Sequence, residues 1–436
     1  MAEAMPIART LEGEALDADA LSEALVGSRA KLTGYSVPQE TEVRGIMSEA
    51  CRLNFEWSDA APSSAPASAF YKRICFNELE SARKKLASAP HKLVRDVNSY
   101  AVEAAWLKSR AAKLAHTRAG IRVPRAYRVE AQPAAEPIES RFSLLVEDFH
   151  PDDGWYQSGF YNLDEARSSL SAFARLHAFY WSGSKALDGE ARAELENAVW
   201  PSGAYWQPCM QTEDQFTQLA SHWEGHVERF GMRGAPELDG VDVDTLGERL
   251  QAVARAAGDE AHPFGAADPA VGTAARPLRT LTHGDPKAGN LFLNRNDASL
   301  VGLIDFQWMG FGLAATEVSH HFIAAFSLEC LDREEELLDH YYGELIARLV
   351  EYGAASDVEA ASALYPRAKL QRGFDVGVLD LARCVFGYQW SRAGANPESL
   401  ARNANTLGRN TYNKSLPHAL RLVAKCDALL RTTRFE

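Results

Sequence analysis

The sequence predicts an α+β chain with a small β-rich N-terminal lobe and a larger, mainly helical C-terminal lobe. Before about residue 150, strand-like alternation at 53–57 and 70–76 is mixed with a helical stretch over 97–116. Beyond residue 150 helical periodicity dominates, near 164–180, 243–257, 313–328, 332–352, 357–372 and 415–431. Apart from the helix near 243–257, the pattern predicts irregular structure over residues 183–280. It predicts a β-hairpin over 291–307. We therefore expect an N-terminal extension over 1–30, a first lobe over 31–149 and a helical lobe over 150–436.

The amino-acid composition limits the classes of protein to which this chain can belong. Of the 436 residues 46% are hydrophobic, and 46 Lys and Arg oppose 59 Asp and Glu, a net charge of −13. That acidic balance argues against nucleic acid or a membrane surface as a partner. The six cysteines include no CxxC pair, no apolar run reaches the length of a membrane span, and the N-terminus lacks a signal-peptide core. These features predict a soluble, cytoplasmic protein.

The segment 281–293, LTHGDPKAGNLFL, is the most informative, together with VGLIDFQ at 301–307. Phosphoryl transfer needs a carboxylate that takes the proton of the attacking hydroxyl, and oxygen ligands that hold Mg²⁺ on the nucleotide phosphates. Asp285 suits the first role, and Asn290 and Asp305 suit the second. Each could instead be an ordinary turn or cap residue. The combination of HGDxxxxN with an apolar strand ending in DFQ favours phosphoryl transfer.

HGDPKAGN and IDFQWMGFG resemble the catalytic loop and the metal-binding segment (301–312) of the aminoglycoside-phosphotransferase and choline-kinase-like superfamily. RGIMSEACRLNFEW at 44–57 and ARLHAFYW at 174–181 particularly resemble its ecdysteroid-kinase-like branch. The resemblance covers about residues 20–330. It implies a protein-kinase-like two-lobed fold, ATP and Mg²⁺ as cofactors, Asp285 as the catalytic residue, and Asn290 and Asp305 as metal ligands.

The resemblance also implies a lysine in the first lobe that binds phosphates and is paired with a helix glutamate. Lys72 shares a strand face with Phe70 and Ile74, and Glu103 lies on an apolar helix stripe with Tyr100. A pair between Lys72 and Glu103 would offset the cost of burying both charges. The alternative is that Lys72 snorkels at a sheet edge while Glu103 is solvated.

The loop expected over the phosphates, 41–49, is the weakest match. It offers only Gly45, with Ser48 as a possible hydroxyl donor, whereas kinase loops use several glycines. Main-chain groups at Glu147, Asp148 and Phe149 match the hinge that binds adenine, although a plain buried strand would have the same residues.

Further residues of the helical lobe have expected roles near the catalytic loop. Lys287 stands where protein kinases carry a lysine that steadies the γ-phosphate, although a solvated loop lysine fits equally. His283 is expected to brace the loop, His177 to be a core histidine, and Glu317 to fill the structural place of an aspartate that follows the metal ligand. The His320–His321 pair has no metal-ligand spacing and is assigned no chemistry.

The predicted function is transfer of the γ-phosphate of ATP to a hydroxyl of a small-molecule acceptor. The nine tryptophans could line an apolar or ring-shaped pocket, and acidic residues such as Glu213 and Asp214 could bind a cationic acceptor. Core packing and solvated loops explain both sets more simply. The competing hypothesis is a catalytically idle binding or scaffold protein with a retained kinase fold. A protein kinase is less expected, because DFQ leads directly into a helix without an APE-type motif.

Overall fold

The structure is a computed structural model that describes residues 7–45 and 47–435. The chain forms two compact units. The first runs to Lys113 and includes Val123–Asp153; the second contains Leu114–Arg122 and Gly154 onward. The chain is mixed α and β, as predicted. Within the described ranges no helix is both long and apolar enough to pass through a bilayer.

The first unit is built on an antiparallel sheet. Its strands are β1 (Leu32–Ser36), β2 (Val43–Arg44), β3 (Glu49–Trp57), β4 (Ser68–Cys75), β5 (Ala126–Gln132) and β6 (Arg141–Glu147). The strand order in the sheet is β1-β3-β4-β6-β5, and β2 pairs with β3. The helices that begin in this unit are α1 (Ala18–Val26), α2 (Glu80–Ser88), α3 (Pro90–Lys108) and α4 (Arg110–Arg118). Helix α3 packs against β5 and β6.

The N-terminal segment covers one face of this sheet. Leu21 and Leu25 of α1 join a buried cluster with Leu53 and Tyr71, and the Tyr71 hydroxyl donates to the Arg9 carbonyl oxygen at 2.8 Å. On the same face the Arg73 guanidinium is 2% exposed and donates to the Thr10 carbonyl at 2.8 Å. The segment expected to be an extension therefore contributes Ile7, Leu21 and Leu25 to the core of the first unit.

The second unit is mainly helical. Its strands are short: β7 (Trp155–Tyr156), β8 (Arg279–Thr282), β9 (Leu291–Asn294), β10 (Val301–Leu303) and β11 (Gly310–Leu313). Its helices are α5 (Leu163–Phe179), α6 (Gly189–Ala198), α7 (Asp214–Thr217), α8 (Leu219–Phe230), α9 (Leu246–Ala261), α10 (Pro269–Ala275), α11 (Ala314–Ala325), α12 (Leu328–Asp332), α13 (Glu334–Glu351), α14 (Val358–Leu364), α15 (Arg367–Cys384), α16 (Trp390–Ala393), α17 (Pro397–Arg402) and α18 (Leu416–Thr432).

The structure corrects several expected boundaries. The helix predicted over 97–116 is two helices, α3 and α4, because the chain breaks at Ser109, where the backbone is extended. The helix predicted over 357–372 is two helices, because Pro366 stops the first and caps the second. Residues 183–280 are more helical than expected, since α6 and α8 lie there as well as α9.

Buried histidines should make the helical unit acid-sensitive. Burial lowers the pKa values of His226, His321 and His418 to about 4, against about 6.5 in an unfolded chain. Between these values the unfolded chain binds more protons, so stability is lost as pH falls from 6.5 to 4. We expect these three histidines to contribute as many as about three protons to the uptake on unfolding in this range, and His320, whose pKa burial also lowers, adds to it. Urea unfolding at pH 7, 6 and 5 measures this uptake.

The variant His418→Gln provides the matched test, since its amide can still donate to the Phe326 carbonyl that His418 contacts at 3.1 Å. It should reduce the uptake by about one proton. An unfolding free energy that is constant from pH 7 to pH 5 would contradict the expectation.

Candidate active site

Asp285 lies in the loop between β8 and β9, and it is only 5% exposed. The Asn290 side-chain amide donates to the Asp285 backbone oxygen at 2.9 Å and to its Oδ2 at 3.1 Å. Lys287 Nζ contacts the same Oδ2. The structure thus brings together Asp285, Lys287 and Asn290, with a carboxylate oriented by two donors of the same loop.

The backbone of this loop is held by Glu317 of α11. Its Oε1 accepts from the Gly284 N–H at 2.7 Å, and its Oε2 accepts from the His283 N–H at 3.0 Å. His177 Nε2 lies 2.9 Å from the same Oε2. Burial would raise the pKa of Glu317, but the His177 hydrogen bond, nearby histidines and the Gly284 N–H outweigh it and lower that pKa. A buried carboxylate therefore fixes the loop, in agreement with the structural role expected of Glu317.

His321, one turn further along α11, also fixes the loop. Its Nδ1 lies 2.6 Å from the Pro286 carbonyl, which can only accept, so Nδ1 carries the proton and Nε2 accepts from Ser169 Oγ at 2.8 Å. Metal-ligand spacing indicated no chemistry for this histidine. Spacing could not reveal its contacts either, because Pro286 and Ser169 are far from it along the chain.

Gly284 is required by close backbone packing. Its φ of +82° is in the left-handed region, and a Cβ here would lie 2.0 Å from the Trp308 carbonyl oxygen and 2.9 Å from the Ala204 nitrogen. The residue before Asp285 therefore touches both the segment after Asp305 and the loop of Ala204.

Asp305 follows β10, which ends at Leu303 rather than continuing to Gln307 as expected. Its φ is +66°, an uncommon conformation for a residue other than glycine, and such strain is concentrated at functional positions. The Gln307 amide donates to Asp305 Oδ1 at 2.6 Å. The Ile304 N–H donates to the Asn290 carbonyl at 3.0 Å, which joins the backbone of Asn290 to the residue before Asp305.

The oxygen donors fit a magnesium ion that arrives with a nucleotide. Among the residues described, no group of three or more His, Cys, Asp or Glu side chains could hold a metal ion. Mg²⁺ bound to phosphates does not need one, because it takes one or two protein oxygens and completes its shell with phosphates and water. The Asn290 amide oxygen is not used in the bonds to Asp285, and Asp305 provides a carboxylate.

In the first unit Lys72 Nζ and Glu103 Oε2 form an ion pair at 2.7 Å, with side chains 14% and 4% exposed. The predicted pair is therefore present. Lys72 also lies over the Tyr100 ring, 5.1 Å from its centroid. The Glu103 carboxylate and the Tyr100 ring offset the free-energy cost of removing the Lys72 ammonium from water.

Removing one member of the pair should destabilise the first unit. Lys72→Met leaves the Glu103 carboxylate buried without its ammonium partner, and we expect a loss of about 2 kcal/mol. The double variant Lys72→Met/Glu103→Leu should recover most of it, because no buried charge remains. Urea unfolding of the two variants measures both effects. A double variant less stable than Lys72→Met would contradict the expected coupling.

The other expected nucleotide-binding residues lie at strand ends of the first unit. Gly45 and Ser48 lie between β2 and β3, and the Gly45 N–H donates to the Ser48 carbonyl at 2.8 Å. Glu147 ends β6, and its Oε2 accepts from the Arg125 N–H at 3.1 Å. Phe149 is 3% exposed.

Asp148 has a structural contact that the sequence did not indicate. Its carboxylate accepts from both Arg52 Nε and Nη2, and from Ser68 Oγ at 2.7 Å. Its side chain therefore fastens β6 to β3 and β4. Adenine binding by the main chain at 147–149 stays a prediction.

Comparison with solved structures gives distant likenesses. A putative aminoglycoside phosphotransferase from Ralstonia eutropha is 12% identical, with 95% of this chain and 98% of that chain covered and a TM-score of 0.42. A choline/ethanolamine kinase family protein from Mesorhizobium loti is 12% identical, with coverage of 93% and 95% and a TM-score of 0.36. An amicoumacin kinase in complex with AMP-PNP, Ca²⁺ and its ligand is 11% identical, with coverage of 87% and 94% and a TM-score of 0.34.

A search of curated proteins found no match. The sequence profile described as the ecdysteroid kinase-like family matches residues 122–353, more than half of the chain. That match includes the loop of Asp285 (281–293), the segment of Asp305 (301–312) and the helix that carries Glu317. It confirms the family resemblance predicted from the sequence. The antiparallel sheet of the first unit and the mainly helical second unit confirm the predicted α+β class. The chain belongs to the ecdysteroid kinase-like family.

Proposed function

We propose that this protein is an ATP-dependent phosphotransferase that transfers the γ-phosphate to a hydroxyl of a small-molecule acceptor. The observation that carries the proposal is the Asp285 carboxylate, which is nearly buried and oriented by Asn290 and Lys287 of its own loop. A positioned carboxylate next to donors of this kind is the arrangement that phosphoryl transfer uses.

Each residue of the site has a separate role in the proposed reaction. Asp285 orients the acceptor hydroxyl and takes its proton as the oxygen attacks phosphorus. Lys287 contacts the same carboxylate and supplies positive charge near the transferred group. Asn290 and Asp305 would hold Mg²⁺, which supplies charge neutralisation on the phosphates.

In the first unit, Lys72 would hold the α- and β-phosphates while Glu103 keeps the ammonium in place. The turn with Gly45 and Ser48 would cover the phosphates, and the main chain at Glu147–Phe149 would bind adenine. The sparse glycine of this turn predicts modest nucleotide affinity, because fewer backbone N–H groups can approach phosphate.

The direct test is a screen of metabolite extracts with γ-labelled ATP and Mg²⁺. We expect one class of alcohol to acquire label, with no labelling when EDTA replaces Mg²⁺. A well-folded sample that labels nothing and shows no thermal shift with Mg-ATP would overturn the proposal. Stable binding of a partner that is unaffected by the double variant Asp285→Ala/Asp305→Ala would favour the scaffold alternative.

A further inference from the structure

A cavity of about 450 Å³ lies between α10, the start of α11 and α15. Its walls are mainly aliphatic, and Val271, Leu278 and Leu313 line it together with several alanines. Small-molecule sites in proteins are typically cavities of this size with mostly apolar walls and a few polar groups. The cavity therefore has the size and the surface of a ligand site.

The cavity is separate from the site around Asp285. Strand β11 is antiparallel to β8, so that Leu313 at the end of β11 pairs with Arg279 at the start of β8. The loop of Asp285 leaves β8 at its other end, after Thr282. A ligand that packs on Leu313 is therefore at the end of β8 away from Asp285, and it is not placed to react there.

Helix α10 presents apolar surface that the chain does not cover. Its seven residues, PAVGTAA, include no charged side chain, and none of them is buried. A Cβ on Gly272 would lie 2.9 Å from the Pro263 carbonyl oxygen, so α10 already rests on the rest of the unit at this point. A ligand in the cavity would cover Val271 and Ala275, which removes apolar surface from water.

Tyr365 adds a polar group to the wall of the cavity. This residue is 3% exposed, and its ring packs edge-on against Trp181 with 5.3 Å between the centroids. Within residues 7–45 and 47–435 the Tyr365 hydroxyl makes no hydrogen bond. Buried polar groups are almost always hydrogen-bonded, so a hydroxyl of this kind indicates a partner from outside the chain.

The charges of the wall favour an anion. Lys369 is exposed, and its ammonium has no carboxylate partner in the part of the chain that the structure describes. The other two charges cancel, because Arg372 donates to both carboxylate oxygens of Glu260 at 2.7 Å. Leu313 gives the N-terminus of α11 no side-chain cap, and this end of the helix dipole is also positive.

We propose that this cavity is a binding site for an apolar monocarboxylate, whose chain packs on α10 and Leu313 and whose carboxylate pairs with the Lys369 ammonium. The single unpaired cation matches one negative charge, and the aliphatic walls match an apolar chain. The Tyr365 hydroxyl is a further donor in the same wall. This site does not depend on phosphoryl transfer at Asp285.

Binding at this site should affect the loop of Asp285 through α11. Ala314 and Ala315 of the cavity wall begin this helix, close to Glu317 along the chain. Glu317 accepts from the N–H groups of His283 and Gly284. A ligand that packs on the first turn restrains the segment that carries Glu317, so these two amides should exchange with solvent more slowly when the site is filled.

Octanoate and octan-1-ol test the site, because they share an apolar chain and differ in the charge of the head group. Dissociation constants are measured by isothermal titration calorimetry with the full chain at neutral pH. We expect octanoate to bind at least about tenfold more tightly than octan-1-ol, since a hydrogen bond between charged groups is stronger than one to a neutral hydroxyl.

Lys369→Gln should weaken octanoate binding about tenfold and leave octan-1-ol binding unchanged, whereas Lys369→Arg should keep the preference for octanoate. Lys185→Gln is the matched control, because Lys185 is an exposed lysine of the same unit that does not line the cavity. Ala275→Phe fills the cavity and should abolish the binding of both probes. The same change at Ala270, an exposed residue of α10 outside the cavity wall, should leave both affinities unchanged.

An octanoate affinity no higher than that of octan-1-ol would overturn the inference, as would equal octanoate affinities of Lys369→Gln and Lys185→Gln. A wild-type chain that binds neither probe would also overturn it. If Ala275→Phe fails to fold, the two lysine variants decide.

Hydrogen exchange at the amides of His283 and Gly284 tests the link through α11. Protection that rises with octanoate in the wild type but not in Lys369→Gln supports the link. Octanoate binding without a change at these amides rejects the link and supports the site alone.

Discussion

Asp285→Asn should lower the rate of phosphoryl transfer about a thousandfold while the chain stays folded. The substituted amide has nearly the same shape but cannot take a proton, and positioned general bases typically contribute 10²- to 10⁴-fold. Stability should change little, because Lys287 is 19% exposed and can turn to water when its partner is neutral. The measurement is the initial rate with the acceptor found in the extract screen, at saturating Mg-ATP.

Asp427→Asn is the matched control for this substitution. Asp427 is as buried as Asp285, at 4% exposed, but lies on α18, where its carboxylate pairs with Arg249 at 2.6 Å. Its variant should lose stability yet keep the wild-type rate per folded molecule. An Asp285→Asn variant with more than a tenth of the wild-type rate would reject Asp285 as the base.

The sequence could predict the groups that lie close together along the chain. The motif around Asp285 and Asn290 is one loop, so its geometry follows from a few residues, and the Asn290 side-chain amide lies 2.9 Å from the Asp285 backbone oxygen. The pair of Lys72 and Glu103 was also predictable, since strand alternation and helix periodicity each determine one inward face. The catalytic and nucleotide-binding roles of these residues stay predictions.

Contacts between distant segments could not be read from the sequence. The N-terminal segment packs over the sheet through hydrogen bonds from Tyr71 to the Arg9 carbonyl and from Arg73 to the Thr10 carbonyl. The partners in each bond are more than 60 positions apart in the sequence. Helix α15 continues into a π-helical turn over Val385–Gln389, where the Trp390 N–H donates to the Val385 carbonyl. Hydrophobic periodicity did not indicate this turn, and the His226 side chain that donates to its Phe386 carbonyl belongs to α8. Both features are determined by tertiary packing, which cannot be predicted from local propensity or from the spacing of residues in the sequence.

Glu317→Gln should be the most destabilising single substitution predicted here, with a loss of about 4 kcal/mol. Glu317 is 2% exposed and accepts from the N–H groups of His283 and Gly284 as well as from His177. A neutral amide has one acceptor oxygen, and its NH₂ group would face donors. The pKa of Glu317 is lowered, so its contribution is present above the unfolded pKa and lost as pH falls through the folded one.

Urea unfolding at pH 7 measures this loss, with Glu359→Gln, an exposed position on α14, as the control expected within about 0.5 kcal/mol of wild type. Hydrogen exchange at the amides of His283 and Gly284 separates loosening of the loop from general destabilisation. These two amides should lose protection before the core of α11 does, because their acceptor is removed directly. If Glu317→Gln were as stable as Glu359→Gln, the buried carboxylate would not be what holds the catalytic loop.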